Sequence, residues 1–246
     1  MRLAILTDIH ANRQAFQAVL DDLASRDIDR IALLGDIVGY GADPEWCVDR
    51  AANLVEGGAL AILGNHDAAI GVPDASMNAN ARATINWTRD RLSPGQIDFV
   101  TGLPLTARIG DMLFVHSSAH APRDWIYVTS DRSARPGFMV SDARLIFCGH
   151  VHVPALFTCD RLGTVREHRV PMGNPLPLLP QRRWMAVIGS VGQPRDGVPQ
   201  AGYAILDTMR NELTFRRVPY DTATAAARVR NAGFPVTLAL RLVRGA

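Results

Sequence analysis

The sequence has no run of basic residues, no apolar stretch approaching the ~18 residues of a membrane span, and only three cysteines, Cys47, Cys148 and Cys159. Each shortage excludes something. The formal net charge of +2 is spread along the chain, which leaves no electrostatic footprint for nucleic acid or a membrane surface but is compatible with a small phosphorylated substrate. An odd number of widely separated cysteines without paired spacing argues against a disulfide framework or a thiolate zinc site, and fits a reducing compartment. The apolar segment after Met1 is Leu3-Ala4-Ile5-Leu6-Thr7, too short for the core of a signal peptide, so a cytoplasmic location is expected. There is no internal repeat, low-complexity tract or linker. With 48% hydrophobic and 20% charged residues the chain can bury a full core, and residues 1–246 are expected to form one domain.

Short β-type runs alternate with helical patterns through the first half. Leu3 to Thr7, Arg30 to Leu34 and Ala59 to Leu63 read as strands, with helices near Arg13 to Ser25 and Pro44 to Glu56 between them. This is a βαβαβ unit, which implies parallel strands and right-handed crossovers. Asn12 and Asp43 are suitable helix starts, and Pro44 falls in a first turn. Asp74 to Leu92 looks helical, and Ser93-Pro94-Gly95 opens another short helix. Leu105 to Ile109 and Met112 to Val115, joined by Gly110-Asp111, suggest a hairpin. Ser117 to Phe138, rich in Arg, Pro and Ser, reads as a long surface loop or partial cap. Strands return at Leu145 to Cys148, Val153 to Thr158, Trp184 to Ile188, Tyr203 to Leu206 and Leu213 to Val218, the later ones as an antiparallel meander. Two short helices, Thr222 to Asn231 and Val236 to Val243, close the pattern. Two sheets packed face to face and covered by helices accommodate both halves.

Polar residues of metal-binding type gather where these strands end. Asp8-Ile9-His10 follows the first strand, and in an extended segment a carboxylate and an imidazole two residues apart point the same way. Gly35-Asp36 follows the second strand and Gly64-Asn65-His66-Asp67 the third, at the strand ends where open α/β sheets place ligands. His116 closes Leu113-Phe114-Val115, and Gly149-His150-Val151-His152 follows Leu145 to Cys148. Taken singly, each has an ordinary explanation: Asp8 as a helix N-cap, Asp36 as a turn residue, a strand-end histidine satisfied in the core. Five such motifs in one context, holding five of the seven histidines, are not explained that way together. His120 and His168 lie outside every motif. Arg195, in a Gly/Pro-rich loop, is a candidate for a substrate phosphate, with a solvated loop arginine as the alternative. The same pair of readings applies to Arg123 and Arg132. Cys148 reads as a small core side chain, and Trp87, Trp125 and Trp184 as core or cap filling.

In this order the five motifs resemble the signature of the calcineurin-like metallophosphoesterases. Asp36-Ile37-Val38-Gly39-Tyr40-Gly41 and Gly189-Ser190-Val191-Gly192-Gln193-Pro194-Arg195-Asp196 are similar to a compact bacterial branch of that family. The resemblance implies an α/β fold, a four-layer αββα sandwich of two mixed β-sheets flanked by helices. It also implies two divalent metal ions, Mn as the first choice with Fe, Zn or Ni as alternatives. Asp8, His10 and His152 would hold one ion, Asn65, His116 and His150 the other, and Asp36 would bridge them. His66 would protonate the leaving oxygen, with Asp67 orienting its ring. The implied function is hydrolysis of a phosphate ester, a small phosphodiester or nucleotide; the alternatives are a protein phosphatase or a non-catalytic protein-binding scaffold of the same fold. Protein phosphatases and diadenosine tetraphosphate hydrolases of the family carry phosphate-clamping arginines where this chain has Tyr40 and Leu63, and cyclic-nucleotide phosphodiesterases carry an Asp where Gly39 stands.

Overall fold

Alternation along the first strand sets the layering of the computed structural model, which describes residues 1–246. In β1 (Arg2–Leu6), Leu3 and Ile5 enter one buried cluster while Ala4 and Leu6 enter another on the opposite face, as a two-residue period requires. β2 (Arg30–Leu33) and β3 (Leu60–Ala61) continue from β1 in parallel, with α1 (Arg13–Ala24) and α2 (Pro44–Glu56) as the crossovers. α1 starts where the Asn12 side chain accepts the Ala15 N–H, and it buries Phe16, Val19, Leu20 and Leu23 at helical spacing. α2 starts at Pro44, whose missing N–H costs nothing in a first turn, and stops at Gly57.

The chain continues through α3 (Asn65–Gly71), α4 (Ala79–Arg89) and α5 (Pro94–Thr101) into the hairpin β4 (Thr106–Ile109) and β5 (Met112–Val115). After α6 (Asp131–Val140) come β6 (Leu145–Cys148), β7 (Ala155–Cys159), β8 (Val165–His168), β9 (Leu176–Pro177), β10 (Arg183–Val187), β11 (Ala201–Asp207) and β12 (Glu212–Val218). α7 (Thr222–Asn231) and α8 (Val236–Arg244) end it. The strands form two mixed sheets of six, ordered β3-β2-β1-β11-β12-β9 and β4-β5-β6-β10-β7-β8. One cluster, with Leu3 and Ile5 from the first sheet and Phe114, Phe147 and Trp184 from the second, fills the space between them. The others bury α1, α2, α7 and α8 on the outer face of the first sheet and α6 on that of the second. The fold is therefore the expected αββα sandwich.

Three local expectations are corrected. No helix runs from Asp74 to Leu92: the Asp74 carboxylate accepts the Ser76 N–H and hydroxyl in a local turn, and Asn78, whose side chain accepts from the Ala81 N–H, starts α4 later. The stretch 117–138 is not loop throughout, because Ser130 caps α6 and its Ala134 and Phe138 are core residues. The later strands are not a simple meander either, since β10 lies parallel to β6 and antiparallel to β7.

Candidate metal centre

Loops from the carboxyl ends of β1, β2 and β3 in one sheet meet loops from β5 and β6 in the other. Six of the seven candidate donors, Asp8, His10, Asp36, His116, His150 and His152, are buried there, and Asn65 is half-buried.

The first group is Asp8, His10 and His152. His10 Nδ1 donates to the Val38 carbonyl (3.1 Å) and His152 Nδ1 to the Gln193 carbonyl (2.6 Å). A carbonyl can only accept, so in each neutral ring Nε2 carries a lone pair. These two lone pairs face each other at 3.0 Å. Asp8 Oδ2 is saturated by the Thr7 hydroxyl and the His150 N–H, both at 2.9 Å, while Oδ1 is buried with no hydrogen-bond partner. It lies 3.3 Å from His152 Nε2 and 3.7 Å from His10 Nε2. Three acceptors converging without a proton between them repel one another unless a cation sits among them.

The second group repeats the device. His116 Nδ1 donates to the Leu34 carbonyl (2.7 Å), so once the ring gives up its second proton its Nε2 lone pair faces Asn65 Oδ1 and His150 Nδ1, each at 3.2 Å. Asp36 lies between the groups. Its Oδ1 accepts the His66 N–H at 2.8 Å, and its Oδ2 stands 3.6 Å from His10 Nε2 and 3.4 Å from His116 Nε2. Burial would suppress ionisation of both acids, but the facing imidazoles outweigh it and hold Asp8 and Asp36 well below the usual carboxylate range. Burial would likewise lower His116, but the Asp36 carboxylate outweighs it and raises the ring to about 9. The pocket thus draws in positive charge, and a divalent cation competes with that proton. Cys148 is no competitor as a donor, because burial pushes its thiol up to about 12.

The two i, i+2 pairs do not arise as expected. Asp8 (φ 54°), His10 (51°), His150 (67°) and His152 (66°) are left-handed rather than extended, and so is Asp36 (54°). Non-glycine residues hold that conformation at a cost of order 1–3 kcal/mol each, a cost that surrounding contacts must offset. Here backbone bonds do so: Asp8 N–H to Gly35 O, His10 N–H to Asp36 O, and Gly192 N–H to Asp8 O. Glycine is required at 149, where a Cβ would meet Thr7 Oγ1 at 2.0 Å.

His66 lines the same cavity, of about 340 Å³, with its ring 4.5 Å from Tyr40 and 4.9 Å from His10 between centroids. Burial lowers it to about 4, and its Nδ1 has no partner. Asp67 does not orient that ring. Its Oδ1 accepts the Ile37 and Val38 N–H groups (2.9 and 3.2 Å) and its Oδ2 the Gly64 N–H (3.2 Å). The side chain points back along α3 into the Asp36 loop, so it ties the second and third motifs together; burial, then Asp36, raise it to about 7. Asp67→Ala should leave three buried donors bare, costing about 3 kcal/mol or more and lowering the melting temperature by about 6–12 °C for a chain of this size. An unchanged melting temperature would show that the loops do not need this tie.

Arg195 lines the cavity, half-buried over the Tyr40 ring (5.6 Å to the centroid), and its Nε and Nη2 donate to Gln193 Oε1 at 3.2 and 2.7 Å. It has no ion-pair partner. Neither Arg123 nor Arg132 lines this cavity; Trp125, expected to fill core or cap space, does so from the 117–138 segment. Three contributors have no sequence signal: the Leu34, Val38 and Gln193 carbonyls fix the imidazole tautomers through main-chain atoms. Tyr127, stacked on His150 at 4.2 Å, had only its place in the 117–138 segment to suggest it.

A model of the calcineurin-like phosphoesterase superfamily domain matches residues 1–211. An uncharacterized protein of Methanocaldococcus jannaschii is 32% identical over 249 residues, covering 99% of this chain and 98% of its own. The crystal structure of a metallophosphoesterase from Sphaerobacter thermophilus superposes with a TM-score of 0.89 at 38% identity, over 100% of this chain and 99% of that one. A hypothetical protein from Pyrococcus horikoshii OT3 shares the fold, with a TM-score of 0.76 at 19% identity over 100% and 98% of the two chains.

Proposed function

The chain belongs to the calcineurin-like phosphoesterase superfamily, and from that premise we propose that it hydrolyses a small phosphodiester or nucleotide at a dinuclear metal centre. The supporting observation is the pair of lone pairs on His10 and His152, aimed at each other at 3.0 Å beside the orphaned Asp8 Oδ1. Asp8, His10 and His152 would hold one cation and Asn65, His116 and His150 the other, with Asp36 shared. The donors are nitrogen and oxygen without thiolate, which suits Mn first and Fe, Zn or Ni next. When bound, such a pair supplies a nucleophile from water at neutral pH and offsets charge building on the phosphoryl oxygens.

The protein's own groups do the rest. Arg195 donates to a non-bridging phosphoryl oxygen, in an orientation fixed by Gln193. His66 gives an N–H to the leaving oxygen, which otherwise departs as a poorly stabilised anion. Val38, Gln193 and Leu34 keep the donor imidazoles in the tautomer that leaves Nε2 free. Residues 1–246 act as one domain in this reading.

The test is a substrate panel with metal analysis of the same preparation. Mn-loaded protein should cleave bis(p-nitrophenyl) phosphate faster than p-nitrophenyl phosphate or a phosphopeptide, and chelation should stop it. Preference for the phosphopeptide would make it a protein phosphatase. Bound metal with no turnover of any ester would make it a scaffold.

A further inference from the structure

A second cavity of about 490 Å³ opens beside the candidate metal centre, its walls including Leu63, Ala68, Pro73, Thr101, Arg123 and Trp125. Asn65, Asp74 and Trp125 line both cavities, so the two are contiguous. Asn65 Oδ1 marks the junction, 3.2 Å from His116 Nε2. Trp125 is the partition. Its ring stands edge-to-face with His116, 5.9 Å between centroids at 74°, and its backbone is left-handed with φ 50°. That conformation ends the short 3-10 turn Pro122–Asp124 and fixes where the indole leaves the chain. Half of the second cavity's lining is apolar, and Arg123 in its wall has no ion-pair partner.

The direction of the cavity says which part of a substrate it would take. His66 packs against Tyr40 and His10, on the flank that also carries Arg195. A leaving oxygen served by His66 departs on that flank. The cleft behind Trp125 opens instead from the Asn65 and His116 flank, where a substituent that stays on phosphorus would project. Beyond the donor cluster the first cavity carries a single arginine, Arg195, against two carboxylates, Asp74 and Asp124. That balance suits the single negative charge of a diester better than the double charge of a monoester.

We propose that the cleft behind Trp125 is a subsite for the retained arm of a phosphodiester, and that this arm carries a flat ring which packs against the Trp125 indole. The proposal rests on the phosphoesterase reading above and narrows it to diesters with one aryl-like or nucleobase-like arm on the side that is not released. Arg123 donates to polar atoms at the ring's edge, where the cleft meets solvent.

The test separates the retained arm from the leaving group. Methyl p-nitrophenyl phosphate and phenyl p-nitrophenyl phosphate release the same phenolate, so the ratio of their kcat/KM values reports the retained arm. The phenyl ester should be favoured by about tenfold, the scale of one ring stacked on an aromatic side chain. Calorimetry on the metal-loaded protein should show diphenyl phosphate binding tighter than dimethyl phosphate by a similar factor. Trp125→Ala should remove most of both ratios and Trp125→Phe should keep most of them. Ala75→Trp, placed on the exposed wall of the same cleft, should lower them with Trp125 intact, so a folding failure of the alanine variant does not end the test. Equal binding of the two diesters by the wild-type protein overturns the subsite, and so does an equal loss for both in Trp125→Ala. Absence of turnover for every ester overturns the hydrolase reading instead, and the calorimetric ratio still decides the cleft.

Discussion

Asp36→Asn is expected to cost about 10³-fold or more in kcat/KM and to strip metal from both positions at once. The reason is the division of labour within one carboxylate. Oδ1 is committed to the His66 N–H, which leaves Oδ2 to face His10 of one group and His116 of the other. An amide has nearly the same shape but no charge, and it presents either a weaker acceptor or an N–H₂ group to two cations. Substituting a donor that belongs to one group only, such as His152→Ala, should lower the affinity of one position and leave the other loadable. Metal analysis after dialysis against limiting Mn, paired with turnover of bis(p-nitrophenyl) phosphate, distinguishes the two patterns. Retention of both ions in Asp36→Asn would remove the shared carboxylate from the scheme.

The contrast between these variants shows what was legible in the sequence. That metal-type side chains gather at strand ends was legible in the residues themselves; that Asp8, His10, Asp36, Asn65, His116, His150 and His152 would meet in one centre was what the resemblance to the calcineurin-like family implied. How they meet did not follow. The extended geometry expected for Asp8-Ile9-His10 is replaced by left-handed residues at both positions, since backbone bonds from neighbouring loops, formed only in the folded chain, overdetermine them. The helix Asn65–Gly71 was hidden because its opening residues, Asn-His-Asp, have turn-like propensities, and the fold starts the helix with Asp67 accepting the Gly64 N–H. The same bond explains the misassigned role of Asp67, which adjacency to His66 suggested and which helical geometry turns toward the Asp36 loop. By contrast the helix expected near Pro44 to Glu56 is found there, since Asp43 and Pro44 are local start signals and Gly57 ends it. α6 was lost in an Arg/Ser/Pro-rich stretch with Pro136 inside it, where burial of Phe138 overrides propensity.

His66→Ala should leave metal content intact while lowering kcat about 10²–10⁴-fold for esters with poor leaving groups and far less for p-nitrophenolate, which departs without a proton. A slope of log kcat against leaving-group pKa that is steeper in the variant is the signature; parallel slopes would deny the ring any part in protonation. Gly39 offers an independent route to the same result. A Cβ at that position would meet His66 Nδ1 at 2.2 Å and Cγ at 2.9 Å, and φ is +88°, so any side chain there must displace the ring as well as strain the loop. Gly39→Ala should therefore steepen the leaving-group slope as His66→Ala does, although residue 39 never touches the substrate. Because Asp36 and Asn65 are left in place, metal content should stay near that of the unmodified protein. If Gly39→Ala keeps the original slope, the ring's position is not what governs departure of the leaving group. The lack of a side chain at residue 39 is thus part of how this chain houses His66, because the imidazole stands where a Cβ would be.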